Sequence, residues 1–319
     1  MSDQVQESSK TVWLALAANL AIFAAKGIGG LFTGSSALLA EAAHSLADTC
    51  NQGLMLVSLR RSERPPDEEH PFGYGKERFF WALLAAIFIF LAGGIFSIAE
   101  GVFRLLGSSG EQGHFIVSYV VLGVALGAES VSLARAFQQA LAGAREAGLP
   151  LVEFVRTSKE PASKTVFGED AAALLGVLVA FVATALAQLT GARFWDASAA
   201  VVVGLLLCLV GIVLGRNAKD LLIGVPARPD ERARLRRVLL GHDVVEDVVE
   251  LLTMYTGPHS LLVAARIDLH DELSGEEIEQ LSGDLEARLR EALPDVSEVF
   301  LDATTSGGGR MVRNEASVE

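Results

Sequence analysis

Six apolar stretches, each long enough to cross the roughly 30 Å of bilayer hydrocarbon that about 20 helical residues span, constrain this 319-residue chain more than anything else in it. They cover residues 11–32, 36–59, 79–105, 115–136, 166–189 and 194–222. A bilayer core supplies no water to satisfy backbone N–H and C=O groups, so each stretch is expected as a helix that closes its own hydrogen bonds. A mean hydropathy of +0.40 with only 20% charged residues agrees with an integral membrane protein. The expected division is an N-terminal cytoplasmic tail (1–10), a six-helix transmembrane domain (11–225), a small α+β domain (226–304) and a disordered tail (305–319). Residues 1–10 lack the short apolar core of a secretory signal, so the first stretch reads as a retained span.

The second stretch is the weakest by hydropathy and the richest chemically. Its run ALLAEAAHSLADTCNQG places Glu41, His44, Asp48 and Asn51 at i, i+3, i+7 and i+10, on one helical face. Turned to lipid, that face would be costly; ionisable groups at membrane depth face the bundle interior and mark ion or proton paths. His44 and Asp48, one turn apart, can offer an imidazole nitrogen and a carboxylate oxygen to one cation. Glu100 and Glu129, in the third and fourth spans, read as structural or proton-path groups. Asn19 and Lys26, in the first, read as hydrogen-bonding or snorkelling residues. Cys50 and Cys208 lie inside apolar segments and read as small buried residues rather than a disulfide.

Positive charge orients the spans. The 2–3 connection carries Arg60, Arg61, Arg64, Lys76 and Arg78, and the 4–5 region Arg135, Arg145, Arg156, Lys159 and Lys164, whereas the 1–2 and 3–4 turns carry none and the 5–6 turn only Arg193. The positive-inside rule then puts both termini in the cytoplasm. From Arg228 onward 10 Lys/Arg stand against 20 Asp/Glu, an acidic balance that excludes a nucleic-acid partner. Beyond the breaker VPARP (225–229) the periods alternate: a helix at 230–240, strands at 244–255 and 261–269, a helix at 274–292 and a strand at 295–302. Ser274, with Glu277 three residues on, forms a capping box at the second helix.

The runs GSSALLAEAAHSLADT, HPFGYGKERFF and DASAAVVVG, followed by an α+β domain, resemble the cation diffusion facilitator family. The FGYGKER loop and the Glu169-Asp170 pair opening the fifth span are most similar to its zinc-transporter-nine branch. The resemblance implies a homodimer of six-helix protomers with a ferredoxin-like cytoplasmic domain, exporting divalent cations in exchange for protons. It also implies a metal site made by two spans. His44 and Asp48 match the second-span pair. In the fifth span, Asp170, 26 residues before Asp196, matches the first position if Leu174 is the second, or the second if Val166 is the first. Either register matches a single ligand, with Glu169 beside it, and Asn51 or Glu41 could add a ligand or hold a water.

A His with two or three carboxylates suits zinc and accommodates manganese, iron(II), cobalt or nickel. Such ligands bind metal deprotonated, so metal and proton compete for them, which is the basis of exchange. Relatives carry a further metal site in the 2–3 loop. Asp67 and His70 match it, but Tyr74 replaces its second His; with a pKa near 10 a tyrosine ligates poorly at neutral pH, so the loop reads as structural. His259, Asp268, His270 and Asp302 are candidate regulatory ligands of the last domain. The expectation is therefore a dimeric, proton-coupled exporter of zinc in a bacterial cytoplasmic membrane, with manganese, iron(II) or cobalt as alternative cargo. Readings of another class are an intramembrane metalloenzyme or a non-transporting metal sensor.

Overall fold

The computed structural model describes residues 2–107, 114–146, 148, 150–151, 161–270 and 273–304; side chains are described from residue 16 onward, apart from 18, 146 and 161–167. The expected tail at 305–319 and the loop cations Arg156 and Lys159 lie outside them. Two compact units divide the chain: residues 1–64 with 77–220, and 65–76 with 221–319.

Among the described residues the first unit holds the long helices α1 (Ser2–Thr33), α2 (Ser36–Ser62), α3 (Glu77–Leu106), α4 (Phe115–Glu146), α5 (Pro161–Thr190) and α6 (Phe194–Ile223). Each contains one expected span. Residues 2–10, expected as a tail, continue α1, in keeping with the absence of Gly and Pro among them. Among the described residues four helical stretches are long and apolar enough to cross a membrane on their own, Glu77–Leu106, Phe115–Arg145, Gly168–Thr190 and Phe194–Ile223, and α1 adds the shorter apolar stretch Asn19–Thr33. The second span falls short because of its polar face, and protein covers it instead: α2 packs against α1, α3 and α5, and nearly every side chain from Ser36 to Ala47 is buried.

Small residues make this packing close. Ala37, Leu38, Leu122, Ala125, Val177, Ala180, Ala183 and Ala199 form one core cluster, and Ala40, Ala47, Ile89, Ala200, Val203 and Leu207 form another. Helices that lack a hydrophobic driving force between them associate through such surfaces. Within α3 the run IFLAGGI (Ile89–Ile95) relaxes into a π turn. It lies where α3 and α6 meet: a Cβ on Gly94 would come within 2.5 Å of Cys208 Sγ and 3.0 Å of Cys208 N. Large apolar side chains such as Leu31, Phe103, Ile116 and Leu189 point outward, as a lipid-facing surface requires.

The second unit is an α+β layer in the order α7 (Pro229–Leu240), β1 (Val245–Gly257), β2 (Ser260–Leu269), α8 (Gly275–Ala292), β3 (Val296–Ala303). β2 is central, antiparallel to β1 and parallel to β3. A parallel neighbour needs a crossover, which α8 supplies. Leu281, Leu285 and Leu289, spaced by four, join Leu235 and Leu239 of α7 over Leu261, Val263, Ala265 and Ile267 of β2. Ser274 caps α8 as expected: its hydroxyl accepts from Glu277 N, while Glu277 Oε2 accepts from Ser274 N. The loop 65–76 packs in this unit. Phe72 meets the exposed Phe300 edge-on at 6.4 Å, and Gly75 lies so close to the β1–β2 hairpin that a Cβ there would sit 2.5 Å from Thr256 O.

Candidate metal-transport site

The working face of α2 is positioned from its first turn. Asp196, buried near the start of α6, accepts from Ser36 N at 2.6 Å and Ala37 N at 3.3 Å through Oδ2, and from Ser35 Oγ at 2.6 Å through Oδ1. Ser35 Oγ in turn accepts from Leu38 N. A carboxylate on free amides at a helix N-terminus satisfies orphan donors and complements the dipole. The aspartate of the DASAAVVVG run thus ties α6 to the helix that carries His44 and Asp48.

One turn further in, Lys26 of α1 is fully buried and donates to Glu41 Oε2 at 3.0 Å, with Glu129 Oε1 at 3.7 Å. Lys26 is therefore paired inside the unit and does not snorkel, and one Glu41 oxygen is committed to it. Next on the same face, His44 Nε2 lies 3.4 Å from Asp48 Oδ2, without the alignment of a hydrogen bond. Both His44 ring nitrogens and Asp48 Oδ1 are buried with no hydrogen-bond partner. Since buried polar groups are nearly always satisfied, three orphans on one i, i+4 pair mark donor atoms left free for a ligand.

Asp48 lines a cavity of about 150 Å³ whose walls include Asn51, Glu129, Ser132, Glu169 and Asp170. Glu169 is buried at 8% exposure, and both its oxygens accept from Asn51 Nδ2, at 2.9 and 2.8 Å. Asp170 Oδ2 accepts from Ser132 Oγ at 2.9 Å. Glu169 and Asp170 thus reach the same cavity as Asp48, and Asn51 holds one of them. Asn19 also lines it, whereas Glu100 is bound within its own helix to Arg104 at 2.8 Å. Ser132 escaped the sequence reading, although its place three residues after Glu129, on one face of α4, was a usable signal. Among the described residues no three His, Cys, Asp or Glu side chains converge on one point; the donors stand around the cavity on α2 and α5.

The other candidate ligands are dispersed, each with a partner of its own. In the 65–76 loop Asp67 Oδ1 accepts from the amides of Glu69 (3.1 Å) and His70 (2.8 Å), and Oδ2 accepts from Tyr74 OH at 2.6 Å. The Tyr74 hydroxyl above all, then the His70 amide, holds the Asp67 carboxyl below its usual range. Tyr74 replaces a ligand with a lock, and the ring of His70 packs on it at 4.3 Å. His270 lies 2.9 Å from Glu246 and 3.0 Å from Asp243 O. Asp302 pairs with Arg266, and His259 with Asp295. Asp268 is buried in β2. The structure does not gather His259, Asp268, His270 and Asp302 into one site.

Residues 12–223 match the cation efflux transmembrane domain, and 227–302 the cytoplasmic domain of cation efflux proteins. The chain belongs to the cation diffusion facilitator family. It is 33% identical over 84% of its length to metal tolerance protein C4 of Arabidopsis thaliana, covering 58% of that protein. It is 30% identical over 76% of its length to the human mitochondrial proton-coupled zinc antiporter SLC30A9, covering 43% of it. Over 94% of its length it is 23% identical to the manganese efflux system protein MneP of Bacillus subtilis (strain 168), covering 97% of that chain. The chain thus spans about half the length of the first two relatives. Membership gives the chain the family's transmembrane domain followed by its cytoplasmic domain.

Proposed function

We propose that this cation diffusion facilitator is a proton-coupled antiporter that exports divalent metal cations from the cytoplasm, zinc foremost. It works as a homodimer in the cytoplasmic membrane with both termini inside. One observation carries the reading: His44 and Asp48 hold three buried donor atoms without hydrogen-bond partners, on a pair whose carboxylate opens to a cavity walled by Glu169 and Asp170. The ion collects His44 and Asp48 from α2 and one or both carboxylates from α5, and Asn51 exchanges its hold on Glu169 for the ion or a water. Metal and proton compete for the same nitrogen and oxygens, so loading expels protons and acidification of the far side expels metal.

A manganese cargo is the second reading, favoured by the wall itself. Asp48, Asn51, Glu169 and Asp170 offer oxygen donors, which suit manganese, against a single imidazole, which suits zinc. Reconstitution decides. In vesicles with an imposed pH difference, zinc should move against the proton gradient, with lumenal pH changing in step as read by an entrapped dye. Manganese movement without zinc movement would reassign the cargo, and metal flux indifferent to the pH difference would remove the antiport.

A further inference from the structure

Lys26 is among the largest fully buried side chains described in the membrane unit, and an ammonium so placed costs several kcal/mol of hydration unless opposed by charge. Its two carboxylate partners differ. Glu41 is fully buried and held at 3.0 Å, whereas Glu129 is partly exposed, stands 3.7 Å away beyond hydrogen-bond length, and lines the cavity with Asp48, Glu169 and Asp170. The ammonium is thus bolted to α2 one turn before His44 and leans on a carboxylate that a bound cation would also attract.

We propose that Lys26 is a tethered counter-ion of the transport cavity: its ammonium holds Glu129 while the cavity is empty and yields it to a divalent cation on loading. The inference rests on the transport reading and deepens it, naming Lys26 as a positioning residue and Glu129 as the carboxylate it releases. Charge decides the exchange, because at equal distance a divalent ion attracts a carboxylate twice as strongly as an ammonium does. When the metal leaves, the ammonium reclaims Glu129, so the carboxylate is never stranded unpaired and the ion is not held too tightly to depart. Glu41 is the anchor. One of its oxygens binds Lys26; the other packs against Gly176 and has no hydrogen-bond partner, so it is fixed by packing rather than by exchange.

The test is metal affinity, measured by calorimetry on the full chain in detergent with zinc alone and manganese alone, beside vesicle transport. Lys26→Met combined with Glu41→Gln removes the ammonium without leaving its anchor charged. This pair should bind metal about tenfold more tightly, the scale of one partly screened charge pair. Its KM and kcat for transport should fall together, because release becomes slower. Glu129→Gln should weaken binding and abolish the tightening when all three changes are combined, whereas Lys26→Arg, which keeps the charge, should stay near wild type. Unchanged or weaker binding in a Lys26→Met/Glu41→Gln protein that elutes and melts as wild type overturns the proposal, as does an equal tightening in the Glu129→Gln background. If that double variant does not fold, Lys26→Gln replaces it with the same expectations. A wild-type protein that binds neither metal overturns the transport reading and this inference with it; one that binds metal while the variants behave alike overturns this inference only.

Discussion

Two His–Asp pairs of the same chemistry sit in the two units, and their environments are opposite. His44 and Asp48 are 3.4 Å apart, the imidazole 2% exposed and three of the pair's four polar atoms without hydrogen bonds. His70 and Asp67 are 3.7 Å apart, 51% and 42% exposed, and Asp67 spends both oxygens on Tyr74 and the loop amides. The comparison teaches that residue type nominates a ligand and satisfaction decides it. A carboxylate holding three donors is part of a fold; a buried one with an empty lone pair beside an empty imidazole is poised for something else.

The contrast breaks most easily at α2. His44→Ala and Asp48→Ala should each lower transport at limiting metal by more than about 100-fold, because changes merely outside the ligand shell already cost about 10- to 100-fold. Their melting should be near or above that of wild type, since each removes an unsatisfied buried group. Near-normal flux in both variants would sink the site. Across the cavity, Glu169→Gln and Asp170→Asn should each cost about 10- to 100-fold, and the larger loss identifies the α5 ligand. Equal, small losses from both would mean that α5 only shapes the cavity.

The legible part of this molecule was the part written in periodicity. The αββαβ order, the capping box at Ser274 and Glu277, and the long helices α1 to α6 were readable, because burial of alternate or every-third residues imposes its period on the text. The polar face of α2 was legible for the same reason. Partners between segments were not. Nothing local says that Asp196 caps α2 from the start of α6, that Asn51 meets Glu169 from 118 residues away, or that Lys26 turns inward to Glu41. Each is a meeting of helices whose faces the composition leaves open. The π turn was hidden too, because it answers to close packing at Gly94 rather than to any helical propensity of IFLAGGI.

In the second unit the same comparison predicts lesions of stability without lesions of binding. Gly75→Ala forces a Cβ against Thr256 O and should dislodge the loop at a cost of about 1–3 kcal/mol, the scale of overpacking. Faster proteolysis between Arg64 and Lys76, at unchanged zinc affinity, is the expected signature. A loss of affinity would show instead that the loop binds metal after all.

The smallest effect is the acid titration of Asp67. Its carboxyl is held below the usual range by Tyr74 and the His70 amide, so the folded loop prefers the ionised form more than the unfolded chain does. The sign follows: the stabilisation is fully present above the ordinary carboxylate pKa of about 4 and drains away as pH falls through the lower folded value. Amide hydrogen exchange across 67–74 should therefore be flat, relative to Asp67→Asn at each pH, from neutrality to about pH 5, and the wild-type advantage should shrink below about pH 4. Tyr74→Phe should leave the two amide bonds in place and narrow that advantage without abolishing it. Because Asp67 is exposed and screened, the change belongs to local opening of the loop rather than to the whole unit. Zinc flux at neutral pH should follow neither substitution, because a carboxylate already spent on its own loop has nothing left to offer an ion.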